Sequence, residues 1–230
     1  MRWRRWLFWL FAAPALLILL LQIYFLLHVC WLRFFNPGST SFMREQLSQL
    51  QEKNPKAEIK YTWVNYDKIS NNLKRAVLTA EDDGFVDHEG VDWDAIQRAY
   101  EKNQRKGKLV SGGSTITQQL AKNLFLSGQR SYLRKGQELV IAYMLESCLD
   151  KQRILEIYLN VVEWGVGVFG AEEAARHYYR SSAAKLGPAQ AARLAVMLPK
   201  PRYYDKNQGS AYLQRRTDVI VKRMNNTELP

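Results

Sequence analysis

Cysteine and histidine are scarce in this sequence, which contains two cysteines and three histidines among 230 residues. The histidines are scattered, Cys30 lies in an apolar N-terminal segment, and Cys148 lies in a segment predicted to be a buried helix. Two cysteines placed in this way predict no disulfide framework. The lack of a Cys/His cluster also argues against a metal site built from these residues.

Charged residues are missing from positions 6 to 32, unless His28 is protonated. A helix of this length would be about 40 Å long, which is enough to cross a hydrocarbon core of about 30 Å with tilt. A cleaved signal peptide is the alternative, but its apolar region is normally roughly 7–15 residues long and ends in small residues. This run is longer and ends in Cys30-Trp31-Leu32-Arg33. We therefore predict a short cytoplasmic tail and an uncleaved transmembrane anchor over residues 1–33.

Acidic residues are absent from the first 33 positions, whereas the remainder has 29 basic and 22 acidic residues, a net charge of +7. A basic domain beside a membrane favours anionic lipid head groups or a phosphorylated substrate as partners. The sequence has no helix-turn-helix, zinc-finger or RNP signature, so nucleic acid is not an expected partner. Arginines crowd the N-terminus at Arg2, Arg4 and Arg5, which favours a cytoplasmic location for that end.

The rest of the chain reads as a linker followed by one domain. Residues 34–60 are predicted to form a juxtamembrane linker with a short helix over 41–53, and residues 61–230 the domain. Residues 61–64 are the one convincing strand, and helical periodicity dominates from residue 71 onward. The predicted fold class is therefore mainly α.

An acidic stretch over residues 81–92 follows a predicted amphipathic helix. The apolar stripe of that helix consists of Leu73, Ala76, Val77 and Ala80. Glu81 then lies at the C-terminal end of the helix, beside two aspartates, where the helix dipole and like charges disfavour an ionised carboxylate. A raised pKa would make Glu81 a usable general base near neutrality. The alternative is a solvated acidic loop.

Hydroxyls and cations follow in two segments. Residues 93–100 are predicted to form a helix carrying Arg98, and the basic residues 102–108 a solvated loop. Two glycines then precede a helix that Thr115 caps, leaving Ser114, Gln118 and Lys122 off its buried stripe. Such a turn at a helix N-terminus suits an anion such as phosphate, and an ordinary capped surface helix is the alternative.

The second cationic segment contains Arg130, Arg134 and Lys135. Glu138 is predicted to begin a helix over 137–149 and to form salt bridges that orient these side chains.

Two further patterns match known sequence signatures but lack the surrounding elements that those signatures require. Residues 165–170 fit G-x-G-x-x-G, but a helix precedes them and no carboxylate lies about 20 residues later, so a turn is predicted. Residues 182–185 fit S-x-x-K, but no S-D-N or K-T-G follows, so Ser182 is predicted to cap a helix. Further helices are predicted over 188–197 and 210–224.

Five segments in order resemble the motifs of the peptidoglycan glycosyltransferases, a family that includes the glycosyltransferase domain of class A penicillin-binding proteins. They are Glu81-Asp82-x-x-Phe85-x-x-His88-x-Gly90-x-Asp92, Gly112 to Asn123, Arg134-Lys135-x-x-Glu138, Ile154-Leu155-Glu156-x-Tyr158-Leu159-Asn160 with the glycines after it, and Leu198-Pro199-x-Pro201. The resemblance covers about residues 60 to 205. Because the chain stops at Pro230, it resembles the monofunctional, membrane-anchored form.

The resemblance implies a lysozyme-like fold with two lobes around a groove. It also implies polymerisation of lipid II into β-1,4-linked glycan, with inversion and release of undecaprenyl pyrophosphate. Lipid II, the growing glycan chain and the bilayer are then the expected partners, and cell-division or elongation proteins are possible ones. The domain would lie on the outer, periplasmic face of the bacterial plasma membrane. The lobe from Lys106 to Arg134 is expected to face the bilayer.

The same resemblance assigns roles to individual residues. Glu81 would be the general base, Lys122 and Arg130 would stabilise the leaving pyrophosphate, and Glu138 would support the cations. The residues expected to line the donor and acceptor sites are Asp82, Arg98, Ser114, Gln118 and Lys135. No cofactor is expected to be required, although Mg²⁺ or Mn²⁺ at the pyrophosphate is possible.

Two alternatives remain at this level. A muramidase shares the fold and a catalytic glutamate, but it needs a second carboxylate about 5 Å away, or roughly 6.5–9.5 Å away if it inverts. The other alternative is a non-catalytic, membrane-anchored protein that binds cell-wall partners.

Overall fold

The computed structural model describes residues 2–108, 112–129 and 131–230. Its α-helices are α1 (Arg2–Trp31), α2 (Ser41–Gln51), α3 (Asn71–Glu81), α4 (Trp93–Lys106), α5 (Ile116–Phe125), α6 (Tyr132–Cys148), α7 (Lys151–Val161), α8 (Ala171–Tyr179), α9 (Pro188–Met197), α10 (Pro201–Lys206) and α11 (Ala211–Arg223). Its strands are β1 (Lys60–Tyr61), β2 (Glu163–Gly165) and β3 (Val168–Phe169). The predicted mainly α class is confirmed.

Helix α1 is the predicted anchor. Its segment Trp9–Trp31 has a mean hydropathy of 2.4 and is almost entirely uncovered by the rest of the chain. Among the described side chains of α1, those buried lie near its C-terminal end: Phe25 and Val29 pack into the hydrophobic core, as does Leu32 just after the helix. This end of α1 lies against α6. The anchor therefore ends inside the fold of the domain rather than at a free linker.

The prediction that the two cysteines form no disulfide framework is wrong. Cys30 and Cys148 form a disulfide, with their Cα atoms 5.2 Å apart. The prediction treated the anchor and the domain as separate bodies. Because the end of α1 packs against α6, the two cysteines, at the ends of these helices, are brought together.

The core lies between two groups of helices. The helices of both groups bury their apolar faces in this core, which stabilises the helical conformation. Helix α3 packs on α9 and α11, while α5 packs on α6 and α7. Of the predicted stripe of α3, Leu73, Ala76 and Val77 are buried and Ala80 is partly buried. Trp164 and Tyr158 are also fully buried. Side chains at the helix N-termini satisfy free backbone N–H groups; Asp150, for example, accepts a hydrogen bond from Arg153 N at 2.7 Å, as predicted.

The sheet is smaller and differently placed than predicted. The strand expected over 61–64 is reduced to β1, which pairs in parallel with β3, so that Lys60 lies opposite Val168. Strands β2 and β3 pair antiparallel and were not predicted, because a strand of two or three residues has no periodicity to read. The Gly-rich stretch 165–170 is the turn of this hairpin and its exit, with Gly167 and Gly170 at φ values of 69° and 84°. The prediction of a turn there is confirmed.

Three boundaries near the site also differ from prediction. Helix α4 continues to Lys106, so Lys102, Arg105 and Lys106 are helical rather than in the expected loop, whereas Lys108 lies beyond the helix. Helix α6 begins at Tyr132 rather than at residue 137, which places Glu138 in its second turn. Ser182 precedes a short 3₁₀ helix but its side chain does not cap it.

Candidate active site

Glu81 is the last residue of α3 and is half-buried. Its carboxylate accepts a hydrogen bond from Gln119 Nε2 at 2.9 Å, and Gln119 accepts one from the buried Tyr158 hydroxyl at 2.9 Å. Burial raises the pKa of Glu81, and the charge of Asp82 adds to this effect. The hydrogen bond from Gln119 and the charge of Lys122 act in the opposite direction. The predicted raised pKa is thus confirmed, with burial as its larger cause.

Asp82 links the acidic stretch to the start of α5. One oxygen lies 2.9 Å from His88 Nε2, and the other accepts a hydrogen bond from Ile116 N at 2.8 Å. Thr115 strengthens this link, since its hydroxyl donates to Gly90 O at 2.6 Å. The two segments that carry Glu81 and Lys122 are therefore held in a fixed relation.

The cations of α6 are arranged around Glu138, which is buried. Its carboxylate accepts hydrogen bonds from Arg134 Nη1, at 2.7 Å, and from Lys135 Nζ. Lys135 Nζ also donates to Ser114 Oγ at 3.0 Å and to Gln118 Oε1 at 3.1 Å. The predicted salt-bridging role of Glu138 is confirmed, and α5 and α6 share one polar network.

Lys122 lies one helical turn beyond Gln118 and is half-buried. Burial lowers its pKa, while the charge of Glu138 raises it. Its Nζ lies 5.7 Å from the centroid of the Phe42 ring, and within the described part of the chain it makes no hydrogen bond or ion pair. Its protons are therefore available to an anionic ligand. Arg130, the other predicted leaving-group cation, lies outside the described residues.

A cavity of about 250 Å³ opens beside Glu81. It is lined by Thr79, Ala80, Glu81, Asp82, Asp83, Gly84, Asp92, Ala95, Arg98, Gly112, Gly113, Ser114, Thr115 and Arg223. The structure thus brings the predicted residues Asp82, Arg98 and Ser114 to one surface. Gln118 and Lys135 connect to it through the network at Ser114.

Arg223 is a cavity residue that the sequence did not reveal. It pairs with Asp83 at 2.7 Å and faces the cavity together with Arg98, which lies 3.4 Å from Asp92. A separation of 140 positions leaves no sequence signal for this pairing.

A second cavity, of about 590 Å³, lies between α2 and α10. Lys200 and Arg202 line it, and Arg202 Nε contacts both carboxylate oxygens of Glu163 at 3.0 Å. Gln46 Oε1 and Arg202 Nη2 are buried there without a hydrogen-bond partner among the described residues. The basic residues among the prolines at 199–202 were the available signal for this site.

The described side chains of the kinds that usually bind metal ions are not clustered in this region. Among the described residues, no group of three or more histidine, cysteine, aspartate or glutamate side chains is placed to hold a metal ion.

The arrangement has one carboxylate with a raised pKa and several cations near it. Both oxygens of Glu138 already accept bonds from cations, so it is not a free partner carboxylate of the kind that a glycosidase needs. Fold and site together define a mainly helical group transferase that suits an anionic leaving group and has an N-terminal apolar helix long enough to cross a membrane.

Comparison with known proteins agrees with this class. Residues 45–225 match the Transglycosylase family. A biosynthetic peptidoglycan transglycosylase of Janthinobacterium sp. (strain Marseille) is 69% identical over 227 residues, covering 99% of this chain and 98% of the relative. Its counterpart in Bordetella pertussis is 56% identical over 234 residues, covering 100% of this chain and 97% of the relative. The chain belongs to the transglycosylase family.

Proposed function

We propose that this protein polymerises lipid II into β-1,4-linked peptidoglycan strands and releases undecaprenyl pyrophosphate. The observation that carries the proposal is the raised pKa of Glu81 close to the cation network of Lys122 and Lys135. Membership of the transglycosylase family supports the same reaction.

In the proposed reaction, Glu81 removes the proton of the acceptor 4-hydroxyl. The acceptor oxygen attacks the anomeric carbon of the donor with inversion, and the bond from that carbon to the pyrophosphate oxygen breaks. The electron pair leaves with the pyrophosphate, whose growing negative charge Lys122 and Arg130 stabilise. A good leaving group of this kind needs cations rather than a second acid.

The other site residues take supporting roles in this proposal. Glu138 holds Arg134 and Lys135 in place through the hydrogen bonds described above. The residues proposed to line the donor and acceptor sites are Asp82, Arg98, Ser114, Gln118 and Lys135. Because both oxygens of Asp82 are already bonded, we assign Asp82 mainly to positioning of the loop beside Glu81.

No resident metal is part of the proposal. The charged side chains around Lys122 include the cations Arg134 and Lys135 as well as two glutamates, and among the described residues no acidic cluster is placed to hold Mg²⁺ or Mn²⁺. A divalent ion at the pyrophosphate would therefore arrive bound to the substrate phosphates, and no step is assigned to it.

We propose that α1 crosses the bacterial plasma membrane with its N-terminus in the cytoplasm, so that the domain lies on the outer, periplasmic face. Two apolar side chains on α6 support contact of that region with the bilayer, since Tyr132 is 98% and Leu133 88% exposed. This agrees with the expectation that the lobe from Lys106 to Arg134 faces lipid. Proteins of cell division or elongation are the protein partners that this location favours.

The proposed division of the chain is an anchor over residues 1–33, a juxtamembrane segment over 34–60 and a catalytic domain over 61–230. Helix α2 of the juxtamembrane segment packs on α5, and the family match begins at residue 45. The juxtamembrane segment therefore contributes to the wall of the site.

The test is a polymerisation assay with the full-length protein in detergent or nanodiscs and lipid II as the only substrate. We expect glycan polymer and free lipid pyrophosphate from the wild type, and almost no polymer from Glu81→Gln with its thermal unfolding unchanged. An unchanged polymer yield in that variant would contradict the assignment of the base. Degradation of preformed glycan without consumption of lipid II would instead identify a muramidase, and neither activity would favour a binding protein.

A further inference from the structure

Helices α1 and α6 run side by side in the same direction and are joined at two levels. At the first level, Gln22 and Gln137 exchange two side-chain hydrogen bonds, each of 2.9 Å. At the second level, Cys30 and Cys148 form the disulfide. The levels are separated by about 12 Å along α1, at 1.5 Å per residue.

The first level is chemically unusual for this anchor. Between positions 6 and 32, Gln22 is the only residue with an amide side chain. An amide in an apolar environment is destabilising unless its donor and acceptor are both satisfied, and between membrane helices such pairs fix rotation and register. Gln137 satisfies both groups of Gln22 at once. The pair therefore defines how α6 is rotated relative to α1.

Gln137 directly precedes Glu138, the carboxylate that holds Arg134 and Lys135. A rotation or shift of α6 at Gln137 necessarily moves Glu138, and with it Lys135, which reaches Ser114 and Gln118 on the neighbouring segment. The contact with the anchor and the cation network are thus less than one helical turn apart.

Helix α6 is also weakened at this point. Gly136 lies within the helix, where glycine costs stability because it gains the most backbone freedom on unfolding. A Cβ at Gly136 would meet no atom within 4 Å, so packing does not demand a glycine here. Because the backbone of α6 is less stable near Gly136, contacts with α1 are needed to fix its position. Gln22 and the disulfide provide these contacts.

We propose that the C-terminal half of α1 positions the cation network of the active site, through the Gln22–Gln137 amide pair and the Cys30–Cys148 disulfide. Gln22, Gln137 and the two cysteines are positioning residues, because they act on substrate only through Glu138 and Lys135. This inference rests on the proposed function, for which α6 supplies the cations.

The first experiment uses full-length protein in nanodiscs with lipid II, and compares Gln22→Leu, Gln137→Leu and the double variant. Each single variant leaves one amide unpaired in an apolar contact, and the displaced network should lower kcat about tenfold, given that misplacement by about 1 Å can cost 10²-fold. The double variant removes the same contact, so its rate should match that of the single variants, because the two glutamines act as one pair. Gln214→Leu, an exposed glutamine on α11, is the matched control and should keep the wild-type rate.

Wild-type kcat in both single variants would overturn the proposal. A double variant whose loss is the product of the two single losses would do the same, because the glutamines would then act separately. Equally, a fall in rate that only follows the folded fraction in thermal unfolding would assign the pair to stability alone.

The second experiment addresses the disulfide. Non-reducing peptide mapping should give a linked peptide containing Cys30 and Cys148. Dithiothreitol breaks the S–S bond, yields two cysteine thiols and is itself oxidised to its cyclic disulfide, and this treatment should slow the wild type. The variant Cys30→Ser/Cys148→Ser should be slow from the start and insensitive to dithiothreitol. Free thiols in the untreated protein, or equal rates before and after reduction, would overturn the two-level arrangement.

A third measurement separates this inference from the proposed function. Hydrogen–deuterium exchange of the amides of residues 134–138 requires no substrate, and it should be faster in Gln22→Leu and in the reduced protein than in the wild type. If the wild type makes no polymer, the proposed function fails while this comparison still decides the positioning. Unchanged exchange in both cases would overturn the inference.

Discussion

The Glu81 carboxylate accepts its hydrogen bond from Gln119, a residue one helical turn before Asn123 on α5, and Gln119 is itself held by the Tyr158 hydroxyl. Three helices therefore meet at the candidate base: α3 provides Glu81, α5 provides Gln119 and α7 provides Tyr158. Burial raises the pKa of Glu81, and the bond from Gln119 limits that rise. These opposing effects on the pKa make Glu81 basic enough to take a proton without leaving it permanently protonated.

Replacement of Gln119 by leucine should move the acid limb of the kcat/KM profile to higher pH. Glu81 acts as a base only when deprotonated, and loss of the hydrogen bond leaves burial to raise its pKa further. The pH profile of kcat/KM, which reports the free enzyme, measures the shift. Tyr158→Phe is the control, because it keeps the Gln119 amide and should move the limb less. An acid limb that stays in place or moves to lower pH would contradict the role of Gln119.

Lys122 should set the alkaline limb of the same profile. Burial lowers the pKa of Lys122 from the ordinary lysine value of 10.5. As the pH rises, Lys122 therefore loses its proton, and with it the charge needed at the pyrophosphate, earlier than an exposed lysine would. Lys122→Arg keeps its charge throughout, so the alkaline limb should move to higher pH even if the maximum rate falls. The exposed Lys222→Arg should leave the profile unchanged.

Removal of the charge at position 122 should affect rate rather than binding. Lys122→Ala should lower kcat by about 10²–10³-fold, the usual effect of losing one transition-state donor, with a smaller change in KM. Steady-state kinetics with lipid II measure the two constants. A pure increase in KM would reassign Lys122 to ground-state binding.

Local signals explain why much of this site could be predicted. The Thr115 cap and the helix that Pro188 begins depend on neighbouring residues, and both appear as expected. The end of α3 at Glu81 followed from its apolar stripe. The boundaries of a helix can therefore be predicted where its capping residues and its apolar periodicity agree over about ten residues.

Contacts between distant segments could not be predicted in this way. The disulfide joins residues 118 positions apart, and the pairing of Arg223 with Asp83 spans 140. The extension of α4 nevertheless had a local signal: Gly107 ends the helix in the left-handed region after two basic residues, a common helix end. Residues 101–106, the last part of α4, contain no apolar side chain, so their sequence resembles a solvated loop.

Arg223→Gln should weaken substrate binding without much effect on the fold. Its pair with Asp83 is half exposed, with 52% of each side chain accessible, and such pairs contribute only about 0–1 kcal/mol. Arg223 nevertheless lines the cavity beside Glu81, where its guanidinium N–H groups face the space proposed for the acceptor sugar. We expect a higher KM for the acceptor, a nearly unchanged kcat and an unchanged midpoint of thermal unfolding. Wild-type KM would exclude Arg223 from substrate binding.

Gly113 brings the turn before Ser114 into direct contact with α4. A Cβ at position 113 would lie 2.7 Å from Ile96 Cα and 3.0 Å from Ile96 N, atoms of the main chain that have no freedom to move aside. Gly113→Ala should therefore push the turn away from α4, separate Ser114 from Arg98 and lower the polymerisation rate about tenfold or more. Gly209→Ala is the matched control, since a Cβ there meets no atom within 4 Å, and it should retain the wild-type rate. If Gly113→Ala retains that rate as well, close approach of this turn to α4 is not required for the reaction.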